Sequence, residues 1–308
     1  MPRKCRRCAN PDIVIELRRH NACFCKDCFL HHCRQQVERT IEELEMIDRH
    51  KTERVLVAVS GGKDSLGLWD ILLDLGYHAD GLYLGLGIGE YSNESHAAAA
   101  AYAARRAATL HVVDLPSDVG FDIPTAAAVT NRVPCSACGL SKRHLFNSVA
   151  LERGYDVVAT GHNLDDEAAV LLGNVLRWDT DYLGRQSPVL PASDGFARKV
   201  KPLVRLGERE LAAYCVLTGI DYIVEECPNA VGNKHLGYKA ALNAIEEQSP
   251  GTKSVFYLGF LDRASARFAP ESAAAKDELQ PCESCGSPTT SNVCAFCKLR
   301  SRMAASAR

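Results

Sequence analysis

The sequence contains no long hydrophobic run, although 46% of its 308 residues are hydrophobic. Apolar runs such as Val55 to Val59 and Ala97 to Ala101 are far shorter than the roughly 18 residues of a membrane-spanning helix. No apolar stretch follows the basic N-terminus, so a secretion signal is not expected. These features predict a cytoplasmic protein that has one sizeable core, small appendages and no membrane partner.

The sequence also lacks an excess of charge of either sign, since its formal net charge is -2 at pH 7. Overall charge therefore gives no argument for binding nucleic acid. Basic residues are clustered locally, and such clusters either bind phosphate backbones or form ordinary solvated surface. The three clusters are Arg3, Lys4, Arg6 and Arg7; Arg198, Lys199, Lys201 and Arg205; and Lys298, Arg300 and Arg302.

No internal repeat indicates a solenoid; instead, strand and helix signals alternate from residue 54 onward. Connections of this length predict right-handed crossovers and a parallel sheet covered on both faces. The predicted fold class is therefore α/β, a doubly wound parallel sheet over residues 54–268. Strands are predicted at 55–59, 81–86, 111–115, 156–160, 199–204 and 221–225, and helices at 35–47, 65–76, 95–108, 139–153, 164–176, 207–218 and within 234–268.

Fourteen cysteines in a chain of this length, mostly grouped as CxxC pairs, indicate metal ligation rather than disulfides. Two CxxC pairs close together near the C-terminus are the ligand pattern of a tetrahedral Zn²⁺ site. The predicted organisation is a cysteine module at 1–33, a linker helix at 34–53, the α/β domain, a linker at 269–281 and a zinc ribbon with a basic tail at 282–308. The ribbon ligands are Cys282, Cys285, Cys294 and Cys297.

The segment VAVSGGKDS (57–65) joins a buried strand to a helix through two glycines. Backbone N–H groups at the start of that helix, together with Lys63, form a cradle that fits pyrophosphate. Val57 and Asp64 do not match a Walker A loop, so this is a different phosphate loop or a turn without a phosphate role. The candidate nucleotide residues are Ser60, Gly61, Gly62, Lys63, Asp64 and Ser65.

A second segment, ATGHNLDDEA (159–168), also links a strand to a helix, and parallel strands deliver their C-terminal ends to one crevice. Gly161 and His162 are therefore candidates for nucleotide binding, although His162 equally fits a structural hydrogen bond. Asp165 and Asp166 either hold Mg²⁺ or interact with the adenylating phosphate, or they only balance the charge of the helix N-terminus.

Three further cysteines, Cys135 and Cys138 in CSACGLSKR and Cys227 in EECPNA, are expected at the same crevice. Three thiolates suit an iron-sulfur cluster that has one iron without a protein ligand. The alternatives are a catalytic pair that carries a persulfide and resolves a disulfide, or buried unreactive thiols.

Together these motifs resemble the TtuA-type tRNA 2-thiouridine synthetases, which are PP-loop ATP pyrophosphatases of the TtcA/TtuA family. The resemblance extends over essentially the whole chain. It rests on SGGKDS (60–65), LGIGEYS (86–92), CSACGLSKR (135–143), ATGHNLDDEA (159–168), ECPNA (226–230) and the two terminal cysteine modules.

The resemblance implies a tRNA sulfurtransferase that uses ATP and Mg²⁺ to adenylate the C2 oxygen of a uridine and then inserts sulfur. It implies a [4Fe-4S] cluster on Cys135, Cys138 and Cys227, and active-site roles for Lys142 and Asp166. Uridine 54 of the T loop is the expected target and wobble uridine 34 the alternative. The expected partners are tRNA, a thiocarboxylated ubiquitin-like sulfur carrier and a second copy of the chain.

The resemblance also implies a second Zn²⁺, bound by Cys5, Cys8, Cys25 and Cys28. Some family members have histidine at the position of Cys28, and Cys23, Cys33, His31 or His32 are substitutes for the fourth ligand. Cys215 is expected in the core. Two other functions remain open: a PP-loop adenylating enzyme that uses ammonia, and a zinc-ribbon RNA-binding protein in which the nucleotide only regulates binding.

Overall fold

A computed structural model describes residues 4–48, 50, 52–230, 234–268 and 279–306, so most of the predicted linker at 269–281 lies outside the described residues. The strands are β1 (Ile15–Leu17), β2 (Ala22–Phe24), β3 (Arg54–Val59), β4 (His78–Gly85), β5 (Leu110–Asp114), β6 (Val157–Thr160), β7 (Val189–Leu190), β8 (Arg198–Val200), β9 (Gln280–Pro281) and β10 (Pro288–Thr289). The helices are α1 (Lys26–Glu43), α2 (Lys63–Asp74), α3 (Gly89–Arg106), α4 (Ile123–Thr130), α5 (Pro134–Glu152), α6 (Leu164–Arg177), α7 (Thr180–Gly184), α8 (Glu208–Thr218), α9 (Lys234–Gln248), α10 (Thr252–Arg263), α11 (Ser265–Phe268) and α12 (Ala295–Ser306).

The central sheet has six strands in the order β5-β4-β3-β6-β8-β7, of which only the edge strand β7 is antiparallel to its neighbour. The chain builds outward from β3 to β5 and then returns to place β6 on the other side of β3. This reversal opens a crevice at the C-terminal ends of β3 and β6, where ligands of open α/β sheets bind. The predicted doubly wound parallel sheet is confirmed.

Alternating side chains of β3 point to opposite faces of the sheet, and each face has its own hydrophobic cluster. Val55, Val57 and Val59 belong to a cluster that extends into the N-terminal cysteine module. Leu56 belongs to the opposite cluster, which includes Phe296 and the buried cysteines of the C-terminal module. The two cysteine modules therefore pack on opposite faces of the sheet.

Three local predictions differ from the structure. The linker helix begins at Lys26, so the boundary predicted between 33 and 34 lies inside α1, and the domain limits stay a prediction. Cys135 and Cys138 lie in the first turn of α5 instead of before it. The strand predicted at 221–225 is wrong, because this segment runs over the phosphate loop, where the Ile223 N–H donates to the Gly61 carbonyl (3.0 Å).

The length and hydropathy of the helices show whether any of them could span a membrane. No helix within the described parts of the chain is long and apolar enough to cross a membrane.

Candidate active site

The phosphate loop between β3 and α2 depends on one glycine conformation. Gly61 has φ +77°, and a Cβ there would lie 2.4 Å from the Ser95 carbonyl oxygen of α3. Gly62 is the N-cap of α2 and has an ordinary φ of -85°. The loop can therefore pack against α3 only with a glycine at 61, and this packing aims the first N–H groups of α2 into the crevice.

The loop after β6 packs directly onto the phosphate loop. A Cβ on Gly161 would lie 2.9 Å from the backbone of Asp64 and Ser65, so these two backbones are in contact. Asn163 caps α6, accepting from the Asp166 N–H (3.1 Å), and its side-chain amide donates to Asp64 Oδ1 (3.1 Å). Two helix N-termini are thereby held side by side at the crevice, an arrangement suited to a polyphosphate.

Two lysines and three carboxylates form an ion-pair network beside these helix ends. Lys63 Nζ is 2.8 Å from Glu208 and 3.3 Å from Asp64. Lys239 Nζ is 2.5 Å from Asp166 and 3.3 Å from Glu208. Burial would lower the pKa of Lys63, but Asp64 and Glu208 raise it above its usual value, so the ammonium group keeps its charge. A triphosphate placed here would compete with these carboxylates for both lysines.

The two neighbouring aspartates of α6 differ in their surroundings. Asp165 is 6% exposed, pairs with buried Lys253 and accepts the Glu208 N–H (2.9 Å), so both of its oxygens have protein partners. Asp166 is about a quarter exposed, faces Lys239 and accepts the Asn163 N–H (3.0 Å). This geometry favours the structural alternative for Asp165 and leaves Asp166, together with Asp64, as the better carboxylates for Mg²⁺.

Replacing Asp165 tests this assignment. Asp165→Asn leaves the Lys253 ammonium buried without its partner, so we expect a loss of about 3 kcal/mol in stability, roughly 6–12 °C in melting temperature. Asp166→Asn is the matched control and should cost less than about 1 kcal/mol, because its ion pair is partly solvated. An unchanged melting temperature for Asp165→Asn, with Mg²⁺-dependent ATP binding lost, would instead make Asp165 a metal ligand.

His162 lies at the end of β6 with its ring held by a neighbour. Its Nδ1 is 2.8 Å from Thr160 Oγ1, and desolvation by the surrounding residues, together with nearby Lys201, lowers the pKa of the imidazole, so the ring is neutral near pH 7. The hydrogen bond agrees with the structural alternative, and a role in nucleotide binding stays a prediction.

Two cavities with shared lining residues lie at the phosphate loop. The smaller, about 300 Å³, lies at the strand ends and is lined by Ser60, Ser65, Lys142, Gly161 and His162. The larger, about 810 Å³, extends from Lys63 to the N-terminal module and to α9 and α10. Asp64 and Tyr91 line both cavities. The crevice thus has room for a nucleotide and for a larger substrate beside it.

The central cysteines are linked to the smaller cavity through Lys142, which lines it and interacts with the Cys138 thiol. Cys138 and Lys142 are one turn apart on α5. Burial raises the pKa of the Cys138 thiol, and the nearby Cys227 and Cys135 thiols raise it further, whereas Lys142 lowers it. The Cys135 Sγ donates to the Asn229 carbonyl (3.3 Å), which brings α5 against the segment that carries Cys227. Burial raises the pKa of the Tyr91 hydroxyl, and electrostatic interactions with Cys227 and Cys138 raise it further.

The donor set fits an iron-sulfur cluster better than a single ion. Among the described residues, the sets of metal-ligating atoms that all lie within 4.8 Å of one another do not include the three central cysteines. A single ion needs its ligands that close, whereas a four-iron cluster holds each thiolate at a separate corner. Three soft donors beside a lysine, with no fourth protein ligand assigned, therefore agree with a cluster that has one open iron.

In each of the two terminal cysteine groups, the four thiols lie close to one another. Cys5, Cys8, Cys25 and Cys28 form one set within 4.8 Å, and Cys282, Cys285, Cys294 and Cys297 form another. The Cys294 N–H donates to Cys282 Sγ (3.2 Å), and the Cys297 N–H donates to Cys294 Sγ (3.4 Å). Each set has the four soft donors that tetrahedral Zn²⁺ prefers. The substitutes Cys23, Cys33 and His31 lie outside the first set.

The basic clusters differ in how free they are to bind phosphate. In the middle cluster, Arg198 pairs with Glu53, Lys201 with Glu167 and Arg205 with Glu43, so three of its four basic residues are engaged in internal ion pairs. The described residues of the terminal clusters, Lys4, Arg6, Arg7, Lys298, Arg300 and Arg302, are exposed.

Sequence reasoning missed Lys239, Glu208 and Asn163, which complete the crevice. Lys239 and Glu208 belong to α9 and α8, outside any recognised motif, and only the fold brings them to the loop. Asn163 stands inside a motif that was noticed, and an asparagine three residues before an acidic residue at a helix start is a capping signal that could have identified it.

The fold and site define a nucleotide-binding α/β protein of the PP-loop type, with soft-metal donors beside the phosphate loop. The PP-loop domain family matches residues 31–232. A tRNA-5-methyluridine(54) 2-sulfurtransferase from Thermus thermophilus is 50% identical over 285 residues, covering 92% of this chain and 87% of that protein. A protein of the same name from Thermotoga maritima is 40% identical, with 97% of each chain covered. The chain belongs to the tRNA-5-methyluridine(54) 2-sulfurtransferase family.

A solved structure supports the fold independently. U34-tRNA thiolase NcsA from Methanococcus maripaludis, solved with its [4Fe-4S] cluster, superposes with a TM-score of 0.76 at 24% sequence identity. The match covers 85% of this chain and 88% of that one. At this identity the likeness establishes a shared fold.

Proposed function

We propose that this protein is an ATP-dependent tRNA 2-sulfurtransferase that acts on uridine 54 of the T loop. The proposal rests on two relatives of that name at 50% and 40% identity. The observation that carries it is the position of Lys142, which lines the cavity at the phosphate loop and also interacts with the Cys138 thiol. One residue thus connects the adenylation site with the site of sulfur chemistry.

The proposed reaction has two stages. The uridine C2 oxygen attacks the α-phosphorus of ATP and displaces pyrophosphate, which converts a poor leaving oxygen into part of AMP. Sulfur then attacks C2, and AMP departs with the oxygen. The N-termini of α2 and α6 and Lys63 bind the phosphates, and Asp64 and Asp166 are the carboxylates that would hold Mg²⁺. Lys142 stabilises the negative charge that develops on oxygen or phosphate.

The cluster residues would be Cys135, Cys138 and Cys227. When bound there, a [4Fe-4S] cluster would supply an iron that can hold sulfur beside the uridine. The start of α5 carries Cys135 and Cys138, and Tyr91, which lines the nucleotide cavity, interacts electrostatically with Cys138 and Cys227.

The two terminal cysteine groups would each bind one structural Zn²⁺. Each module has little core of its own, so we expect metal to stabilise it. Exposed basic residues accompany both modules, and we propose that they contact the tRNA backbone from opposite faces of the sheet. The cytoplasmic location, the thiocarboxylated sulfur carrier and the homodimer stay predictions.

Direct detection of the product tests the function. Full-length protein reconstituted anaerobically and supplied with ATP, Mg²⁺, sulfide and unmodified tRNA should introduce 2-thiouridine at position 54, detected by mass spectrometry of nuclease fragments. Pyrophosphate release should depend on tRNA, because the uridine is the adenylated group. Cys135→Ala should abolish sulfur insertion.

A tRNA that carries cytidine at position 54 is the matched control. Product at position 34 instead of 54 would assign the wobble uridine, and pyrophosphate release without any thiolated product would contradict the sulfurtransferase proposal.

A further inference from the structure

A buried group of side chains joins the first cysteine module to the core, apart from the phosphate loop and both cysteine sets. It consists of His20, in the turn between β1 and β2, His32 on α1 and Glu210 on α8. One ligand atom of each lies within 4.8 Å of the others. His32 Nε2 is 3.9 Å from Glu210 Oε1, too far for a hydrogen bond.

These atoms lack the partners that buried polar atoms normally have. His20 Nε2, His32 Nε2 and Glu210 Oε1 are all buried, and none has a hydrogen-bond partner in the described part of the chain. Buried polar groups are nearly always hydrogen-bonded, and each one left unsatisfied costs about 1–3 kcal/mol. Three unsatisfied residues whose ligand atoms lie this close together indicate that the space between them binds something.

The carboxylate is held so that one oxygen is free to bind. Glu210 is only 4% exposed. Its Oε2 accepts the Gly207 N–H (2.7 Å) and pairs with Arg19 (2.5 Å), while Oε1 faces the imidazoles. The acceptor capacity of Oε2 is thus used by the protein, and the negative charge of Oε1 remains available to a cation.

The two imidazoles are oriented and neutral. Their rings lie 5.0 Å apart at 75°, and Phe24 stacks on His32 at 5.2 Å. Burial lowers the pKa of His32 to about 4 and lowers that of His20. A neutral imidazole has a lone pair on one ring nitrogen, as metal binding requires.

We propose that His20, His32 and Glu210 form a third metal site, which binds a divalent transition-metal ion, Zn²⁺ in the first instance. Two imidazole nitrogens and one carboxylate oxygen are an established Zn²⁺ donor set, which leaves a fourth position for water. Its nitrogen and oxygen donors distinguish it from the two sets of four cysteines.

The location gives this site a positioning role. It joins two parts of the first module, α1 and the turn between β1 and β2, to the first turn of α8. In that same turn, Glu208 contacts Lys63. A metal ion at Glu210 would fix the first cysteine module against the helix that carries a neighbour of the phosphate-binding lysine.

Counting zinc per chain tests the proposal. In the zinc-loaded full-length protein, measured by mass spectrometry of the metal after dialysis, His20→Ala and His32→Ala should each bind one Zn²⁺ fewer than the wild type. His31→Ala is the matched control, because its Nε2 is also buried without a partner but lies outside the group. His31→Ala should keep the wild-type count.

Equal zinc counts in wild type and folded His32→Ala would overturn the proposal and leave a bound water as the occupant. If the variants do not fold, zinc X-ray absorption of the loaded wild type decides the matter: nitrogen and oxygen ligands alongside sulfur support the site, and sulfur ligands alone overturn it. Neither result depends on tRNA thiolation.

Discussion

Gly61→Ala is expected to abolish ATP-dependent pyrophosphate release. The left-handed conformation costs a residue with a Cβ about 1–2 kcal/mol, and the new Cβ would lie 2.4 Å from the Ser95 carbonyl oxygen. That oxygen belongs to the backbone of α3, so the phosphate loop must move instead. Because a displacement of about 1 Å in a catalytic site can cost 100-fold in rate, we expect at least that loss in tRNA-dependent pyrophosphate release.

Gly62→Ala is the matched control for the fold. Its φ is -85°, and its added Cβ would find the nearest atom, Ser60 Oγ, at 3.6 Å, an ordinary contact. We expect this variant to keep the wild-type melting temperature, and Gly61→Ala to lower it. Equal melting temperatures and equal rates for the two variants would show that the packing of Gly61 against α3 does not position the loop.

Cys138→Ser should eliminate tRNA thiolation while leaving ATP binding intact. The substitution replaces a soft thiolate with a hard hydroxyl, and even residues that only support a metal ligand contribute about 10–100-fold to metal affinity or activity. We therefore expect a loss on the order of 100-fold or more. Iron content and visible absorption of the anaerobically reconstituted protein should fall with the activity, and ATP binding measured by calorimetry should be retained.

Cys23→Ser is the control for that experiment, because Cys23 is a half-buried thiol outside both sets of four cysteines. It should retain cluster and activity. Full thiolation by Cys138→Ser, or an unchanged iron content, would contradict the assignment of the cluster to the three central cysteines.

The form of the active site depends on several separate elements that meet at the reversal point of the sheet. The ends of β3 and β6 bring the phosphate loop and the capped start of α6 together. α8 and α9 add Glu208 and Lys239, and α5 adds Lys142 beside the cysteines. Because the cysteine modules pack on the two faces of the sheet, they do not cover the edge at which the crevice opens, and substrates can enter there.

Hydrophobic periodicity and short motifs were sufficient to predict the class of fold and the site residues that are adjacent in the sequence. Six strands are predicted from the alternation of apolar strands and helices, and five of them are present in the sheet. The sixth, at 221–225, is not a strand, and the Ile223 N–H donates to the Gly61 carbonyl of the phosphate loop instead. Likewise, the SGGKDS turn was recognisable because its glycines and helix start are contiguous.

Contacts between segments that are far apart in the sequence could not be predicted from periodicity or motifs. Lys239 lies beside Asp166, and Glu210 beside His32, only after α9 has packed against α6 and α8 against α1 and α2. Periodicity reports which face of an element is apolar, but it does not report which polar groups from different elements share a buried space. The nucleotide motif was therefore evident in the chain, whereas the ion-pair network and the histidine group needed the packed tertiary structure, because long-range packing sets their distances.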